Sequence, residues 1–381
     1  MTERVPLSAP DITEAEIAAV AAVLRTPHLC LGPELAEFET EMAAFHSIEH
    51  AVAVSSGTAG LHLALVSLGV GAGDEVIIPS FAFVAVANAV LQVSARPVFA
   101  EIDAVTLNLD PAAVDRAVTS RTRAIVGVHT FGVPAEMDAL TALARRRNLA
   151  LIEDASEALG AQFDGRTVGG FGDVSVFGFY PNKQMTTGEG GMVLTRNAAT
   201  AARLRKLRNQ GRESAPGAGA VWLDWVEPGY NYRLSDLASA LGRVQLRRLG
   251  EMLALRREAA SRYDALLKQI RELERPALTL PRREISWFVY VVRLPQASDR
   301  DAVRRELAGK GIATGRYFAP LHLQPCSLQQ TGGQTEPMPV TESVAERTLA
   351  LPFFNRITAG QQQKVVEALH AAIASGTGRG T

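Results

Sequence analysis

From His50 to Glu153 the sequence repeats one pattern: a short apolar run, a polar turn, then a stretch with helical spacing. His50–Val54, Val76–Ile78, Pro97–Ile102, Ala124–Val128 and Leu149–Glu153 read as strands. Leu61, Leu65 and Leu68 share one helix face, and Val84–Leu91 and Met137–Arg147 read as further helices. Strands that alternate with helices do not pair as hairpins. They form a mainly parallel sheet with helices on both faces, and such sheets bind ligands beyond the carboxyl ends of their strands. Gly57, Phe83, Asp154 and Lys183 all fall just past a predicted strand end.

The flanks extend this plan. Thr13-Glu14-Ala15-Glu16 is a capping box that opens a helix through about Leu24, and Pro33 opens another that runs to Phe45 on Leu35, Phe38 and Met42. After Ser235 an amphipathic helix runs to about Leu273. Trp287–Leu294 reads as a strand and Asp299–Lys310 as a helix. A loop from Ala313 to Pro325 and a helix over Ala359–Ala374 follow, and the tail SGTGRGT is expected to fray. At 381 residues the chain exceeds one ordinary domain. We expect a large domain over 1–250 and a smaller one over 251–381, divided within the long helix. Apolar content of 47% with 39 basic and 40 acidic residues excludes a disordered chain and gives no nucleic-acid signal. No stretch has the apolar length of a membrane span, and the N-terminus lacks a signal-peptide core. Cys30 and Cys326 form no CxxC or zinc pattern, so a reduced, cytoplasmic setting is expected.

The chemistry concentrates in Val176–Leu194. An apolar run, Val174 to Phe179, ends at Pro181-Asn182, Lys183 follows at once, and Met192–Leu194 is apolar again. A lysine between two buried strands needs a partner for its ammonium or loses its proton, which is the setting of a carbonyl-trapping amine. The alternative is a lysine that snorkels out of a turn. Ser55-Ser56-Gly57-Thr58 before a helix can cradle a phosphate, or simply cap that helix. Asp154, at the end of an apolar strand, needs a cation or several donors, or else serves as a helix cap. Asn231 and Arg233 read as a polar turn before a helix. His46-Ser47-Ile48-Glu49-His50 matches the H-x-x-E-H zinc pattern, but that chemistry needs one continuous helix and the helix ends near Phe45; no metal site is expected. Gly69–Gly73 precedes a strand, so it is a helix-ending loop and not a dinucleotide turn.

In order along the chain, GPELAEFE, SSGTAGLHLAL, IIPSFAFVA, IEDASEALG, FYPNKQMTTGEGGM and GYNYRLSDL resemble the pyridoxal-phosphate sugar aminotransferases of the DegT/StrS type. The resemblance runs from VPLSAPDI to PLHLQP and implies the type I aspartate-aminotransferase fold. That fold has a large domain with a mainly parallel seven-stranded sheet and a smaller α+β C-terminal domain. The resemblance also assigns roles. Lys183 matches the Schiff-base lysine and Asp154 the partner of the pyridine nitrogen. Phe83 matches the aromatic residue stacked on the ring, and Gly57 and Thr58 the phosphate cradle. Asn231 matches a residue that reaches the phosphate from a neighbouring subunit, which implies a homodimer. Glu157 stands near the ring oxygen, where many members have Gln or His. Gly178 stands where many have a serine that donates to the phosphate. Tyr317 and His322 match a loop near the sugar; they contact substrate or stabilise that loop. The implied reaction moves an amino group from L-glutamate to a nucleotide-linked keto-sugar. The TTGEGG turn favours a 4-keto-6-deoxyhexose over a 3-keto sugar or a cyclitol ketone. Retention of Lys183 favours transamination over sugar dehydration or a non-catalytic regulator.

Overall fold

The computed structural model describes residues 4–213, 223–330, 332 and 336–376. Helix α1 (Glu14–Val23) starts at the expected capping box, with Thr13 and Glu16 bonded reciprocally. Helix α2 (Pro33–His46) has Gly32 at its cap and no capping side chain of its own. The buried Asp236 supplies the acceptor instead, at 2.8 Å from the Gly32 amide and 3.1 Å from that of Glu34. The alternating region follows as β1 (His50–Val54), α3 (Gly57–Ser67), β2 (Glu75–Pro79), α4 (Ala85–Gln92), β3 (Arg96–Ala100), α5 (Pro111–Ala117), β4 (Thr122–Val128), α6 (Met137–Arg147) and β5 (Ala150–Asp154). Then come β6 (Val174–Gly178), β7 (Gly191–Thr195) and α7 (Ala198–Arg208).

These strands form one seven-stranded sheet in the order β1-β7-β6-β5-β4-β2-β3. β7 runs antiparallel to both its neighbours and the other strands share one direction. Alternation sorts the side chains between two layers. Val52 and Val54 of β1, Val176 of β6 and Val193 of β7 pack with α3, α4 and α7. Ala51, Ala53, Phe177, Met192 and Leu194 point the other way, onto Phe38 and Met42 of α2 and Leu246 and Leu249 of the long helix α8 (Asp236–Leu267). With both faces covered, the sheet presents its strand ends to ligand.

Apart from two-residue strands and 3-10 turns, α8 is followed by β8 (Tyr290–Arg293), α9 (Arg300–Gly309), α10 (Pro325–Gln330), α11 (Pro339–Arg347), β9 (Thr348–Leu351) and α12 (Ala359–Gly376). β8 and β9 pair antiparallel. They join Tyr263 and Leu267 of α8, Leu307 of α9 and Val365 and Leu369 of α12 in a second core. Val5 belongs to that core too: its amide donates to Gly311 and its carbonyl accepts from Ala313.

Two boundaries differ from the sequence expectation by three residues or more. α8 ends at Leu267 instead of about Leu273, because three-residue turns take over at Ile270 and Leu273. Both side chains still face the second core, so the apolar spacing outlasts the helix. The strand expected from Trp287 begins only at Tyr290. The Ser286 and Phe288 amides donate to Gly132 and Phe131, and Trp287 takes a left-handed φ of 52°. Residues 377–381 of the tail lie outside the described residues. Among the described residues no helix is long and apolar enough to cross a membrane.

Candidate active site

A cavity of about 490 Å³ opens at the carboxyl ends of β1, β4, β5 and β6. Gly57, Thr58, Phe83, Asp154, Glu157, Lys183 and Tyr317, distant in sequence, all line it. A wider hollow of about 930 Å³ lies elsewhere, between Asp138, Arg145, Arg166 and Arg196, and holds none of these residues.

Lys183 sits in the turn after β6, where its amide donates to the Tyr180 carbonyl. Its Nζ lies 3.5 Å from Glu157 Oε1 and 3.8 Å from the centre of the Phe288 ring. Burial pushes the Glu157 carboxyl up, against the pull of Lys183 and of the Phe131 amide, which donates to Glu157 at 3.0 Å. Arg256 of α8, 2% exposed and in no ion pair among the described residues, holds the surrounding backbone. Its guanidinium donates to the carbonyls of Lys183 (3.0 Å), Trp287 (3.1 Å) and Phe288 (2.9 Å). The amine and the aromatic ring beneath it are therefore tied to one cation.

Adjacent residues of β5 show what the cavity lacks. Glu153 and Asp154 point to opposite faces, and both are buried. Glu153 accepts from His129, from the amides of Gly169, Phe171 and Gly172, and from Ser175 Oγ. Asp154 accepts only from the Ser156 amide at 3.1 Å and forms no ion pair among the described residues. A buried carboxylate with one donor calls for a cation, and this one lines the cavity.

The cavity also suits an anion. The first amides of α3, at Gly57 and Thr58, have no intrahelical acceptor, and the helix dipole is positive there. Ser56 Oγ is committed to capping this helix at the Ala59 amide (3.1 Å). β7 passes so close that a Cβ on Gly191 would lie 2.7 Å from the Ser56 carbonyl, so only glycine admits this approach. A primary amine, a cation-seeking carboxylate and an anion-seeking helix end in one cavity match the three polar parts of pyridoxal phosphate: carbonyl, ring nitrogen and phosphate. The residues fit that cofactor.

Phe83 is 59% exposed, with its ring on the open side of the cavity. Tyr317 lines the wall, its hydroxyl pKa raised by burial and by Glu157. Two expected site residues do not reach the cavity of this chain. Asn231 is exposed on the surface, where its backbone bridges to Asn209. His322 is 2% exposed, its Nδ1 2.6 Å from Ser80 Oγ and its Nε2 3.2 Å from Glu342. Its neighbours here are a serine and a carboxylate that anchor the loop. α2 ends at His46, whose pKa burial lowers to about 4, and His50 opens β1, so the two histidines share no helix. No group of three or more metal-binding side chains occurs among the described residues.

Sequence reasoning missed Phe288, Arg256, Asn182, Tyr180 and Ser156. Phe288 is hidden in an apolar run that reads as strand core, and Arg256 in an arginine-rich helix that reads as solvent-facing. Tyr180 and Asn182 were findable, since they flank Lys183 in the chain.

A model of the DegT/DnrJ/EryC1/StrS aminotransferase family matches residues 10–370. The chain is 37% identical to the spore coat polysaccharide biosynthesis protein SpsC of Bacillus subtilis (strain 168), over 96% of each chain. It is 36% identical to the GDP-perosamine synthase of Caulobacter vibrioides, over 96% of this chain and 97% of that one. The crystal structure of the aminotransferase TlmJ from Streptoalloteichus hindustanus superposes with a TM-score of 0.92 at 36% identity, covering 98% of this chain and all of that one. A match of this extent, on a cavity whose polar groups fit the cofactor, leads to one conclusion: the chain belongs to the DegT/DnrJ/EryC1/StrS aminotransferase family and is a pyridoxal-phosphate-dependent transaminase.

Proposed function

We propose that this enzyme carries the amino group of L-glutamate to the keto group of a nucleotide-linked sugar, and that the sugar is a 4-keto-6-deoxyhexose. One observation carries the reading: Lys183 Nζ lies between the Glu157 carboxylate and the Phe288 ring, in one cavity with Asp154 and the start of α3. The TTGEGG turn supports the choice of sugar, and its Glu189 and Gly190 line the same cavity. A relative at 36% identity is named for a GDP-linked product, which supports the nucleotide link.

The bound cofactor supplies a carbonyl that takes up the amino group and a ring that withdraws electrons from the carbon losing its proton. Asp154 would hold the ring nitrogen in its cationic form, since no cation among the described residues pairs with the carboxylate. The Gly57 and Thr58 amides would hold the phosphate, and Phe83 would pack against the ring. Lys183 Nζ would take the proton from the donor's Cα and carry it to the cofactor carbon on the far side of the transferred nitrogen. In the second half-reaction it moves a proton the opposite way, onto the sugar carbon that receives nitrogen. Glu157, next to the amine and with its pKa raised, is placed to hold a proton at the ring oxygen. Tyr317 and Asn182 form the wall against which the sugar lies.

The same reading includes a homodimer, with Asn231 completing the phosphate site of the partner subunit; its exposure outside its own cavity supports this. A sedimentation mass equal to one chain would overturn that part. We place the enzyme in the cytoplasm, supported by two exposed free cysteines, and cell fractionation tests it. The boundary near residue 250 is proposed on the two cores that α8 serves. Hydrogen exchange of both halves of α8 as one unit would refute it.

Visible absorbance of the purified protein tests the reaction. L-Glutamate should bleach the band of the bound cofactor in the wild type and leave it unchanged in Lys183→Ala. The band should then return with a nucleotide-linked 4-keto-6-deoxy sugar, and not with 3-keto sugars or cyclitol ketones. Glutamate-dependent turnover surviving in Lys183→Ala would sink the mechanism, and return of the band only with another acceptor would sink the choice of sugar.

A further inference from the structure

We propose that Ser156 is a phosphate-binding residue of this enzyme, its hydroxyl taking the place of the serine that Gly178 lacks. The residue follows β5 and lines the cavity, and its amide donates to Asp154. Its hydroxyl has no hydrogen-bond partner among the described residues. It lies where three elements converge: 3.3 Å from where a Cβ on Gly57 would stand and 3.5 Å from where one on Gly178 would stand. A free hydroxyl between the first residue of α3 and the last of β6 therefore adjoins the first-turn amides of the helix. Ser56, the hydroxyl nearer in sequence, is already bonded to its own helix. An anion at the helix end gives Ser156 the acceptor that the protein does not provide.

The geometry also permits the reverse arrangement. A Cβ on Gly178 would meet Ser156 Cβ at 3.4 Å and Gly57 Cα at 3.7 Å, ordinary contact distances. A serine at 178 can thus be built once the 156 hydroxyl is removed, and the cradle can draw its hydroxyl from either strand end.

The test is cofactor binding by the apoenzyme, read from protein fluorescence without turnover. Like the roles above, it rests on pyridoxal phosphate being the group bound. Ser156→Ala should raise the Kd for pyridoxal phosphate about tenfold, the loss of one hydrogen bond to a charged group. Its Kd for pyridoxal, which lacks the phosphate, should stay at the wild-type value. Ser156→Ala with Gly178→Ser should return the pyridoxal phosphate value toward that of the wild type. An unchanged Kd in Ser156→Ala, or an equal rise for both ligands, would overturn the assignment to Ser156 alone. A wild type that binds neither ligand would overturn the cofactor itself and Ser156 with it.

Discussion

Arg256→Met removes a buried cation that holds the Lys183 loop to the segment at Phe288. The guanidinium is buried and forms no ion pair among the described residues; burial lowers its pKa to about 10 against the pull of Asp11, so it stays charged at neutral pH. Two effects oppose each other. Removing an unpaired buried charge recovers several kcal/mol of desolvation. It also strands the carbonyls of Lys183, Trp287 and Phe288, and a hydrogen bond from a charged donor contributes roughly 1.5–3 kcal/mol each. Methionine fills similar length with flexible apolar atoms, so an empty cavity adds little. Three stranded carbonyls outweigh the recovered charge, and we expect a net loss of about 2–5 kcal/mol.

The functional consequence is larger than the stability change alone. Lys183 Nζ lies over the Phe288 ring, and both backbones lose their common anchor. Small misplacement of a reacting group lowers rate steeply, so kcat should fall roughly 10–100-fold. Urea unfolding of the holoenzyme should show a midpoint lower by about 1 M. Arg256→Lys should recover only part of either loss, since a single ammonium cannot span three carbonyls in fork geometry. A Met variant with wild-type kcat and a midpoint within about 0.2 M of the wild type would refute the reasoning.

Two further outcomes follow from buried polar contacts. His322→Ala strands Ser80 and Glu342 below the cavity loop; it should lower stability by about 1–3 kcal/mol while KM for the sugar stays within about twofold. Unchanged thermal stability with a raised KM would instead make His322 a substrate contact. Glu16 titrates in a calculable direction. Burial pushes its carboxyl up, but hydrogen bonds from Thr13, Arg248 and Gln245 prevail and hold it at about 2, below an ordinary 4.5. A depressed folded-state pKa contributes stability above pH 4.5 that is lost as pH falls toward 2. Glu16→Gln should therefore be less stable than the wild type at pH 7 and lose less between pH 4.5 and 2, by urea midpoints across that range. Parallel curves would refute it.

Local patterns made much of the fold legible. Helix starts at Thr13 and Pro33, the span of α6, and the strands at His50, Val76 and Ala124 follow from caps and from periods of two and 3.6 residues. These signals act over a few residues, so the sequence alone carries them. Motif order pointed to Lys183, Asp154, Glu157, Gly57, Thr58, Phe83 and Tyr317; the first six follow strand ends of the sheet, which brings them to one cavity, and the loop after α9 adds Tyr317.

What the sequence could not determine depends on which distant groups become neighbours. Glu153 and Asp154 look alike in the chain, and only packing gives five donors to one and a single amide to the other. Arg256 lies in an amphipathic helix and Phe288 in an expected strand, and only packing sets Lys183 against both. His322 read as a substrate contact or a loop-stabilising residue, and only packing places it between Ser80 and Glu342. Whether a polar group meets a partner, solvent or ligand is settled by burial and long-range contact. Burial and contact exist only after the chain has folded, so residue types fixed the available chemistry and tertiary structure decided where it is directed.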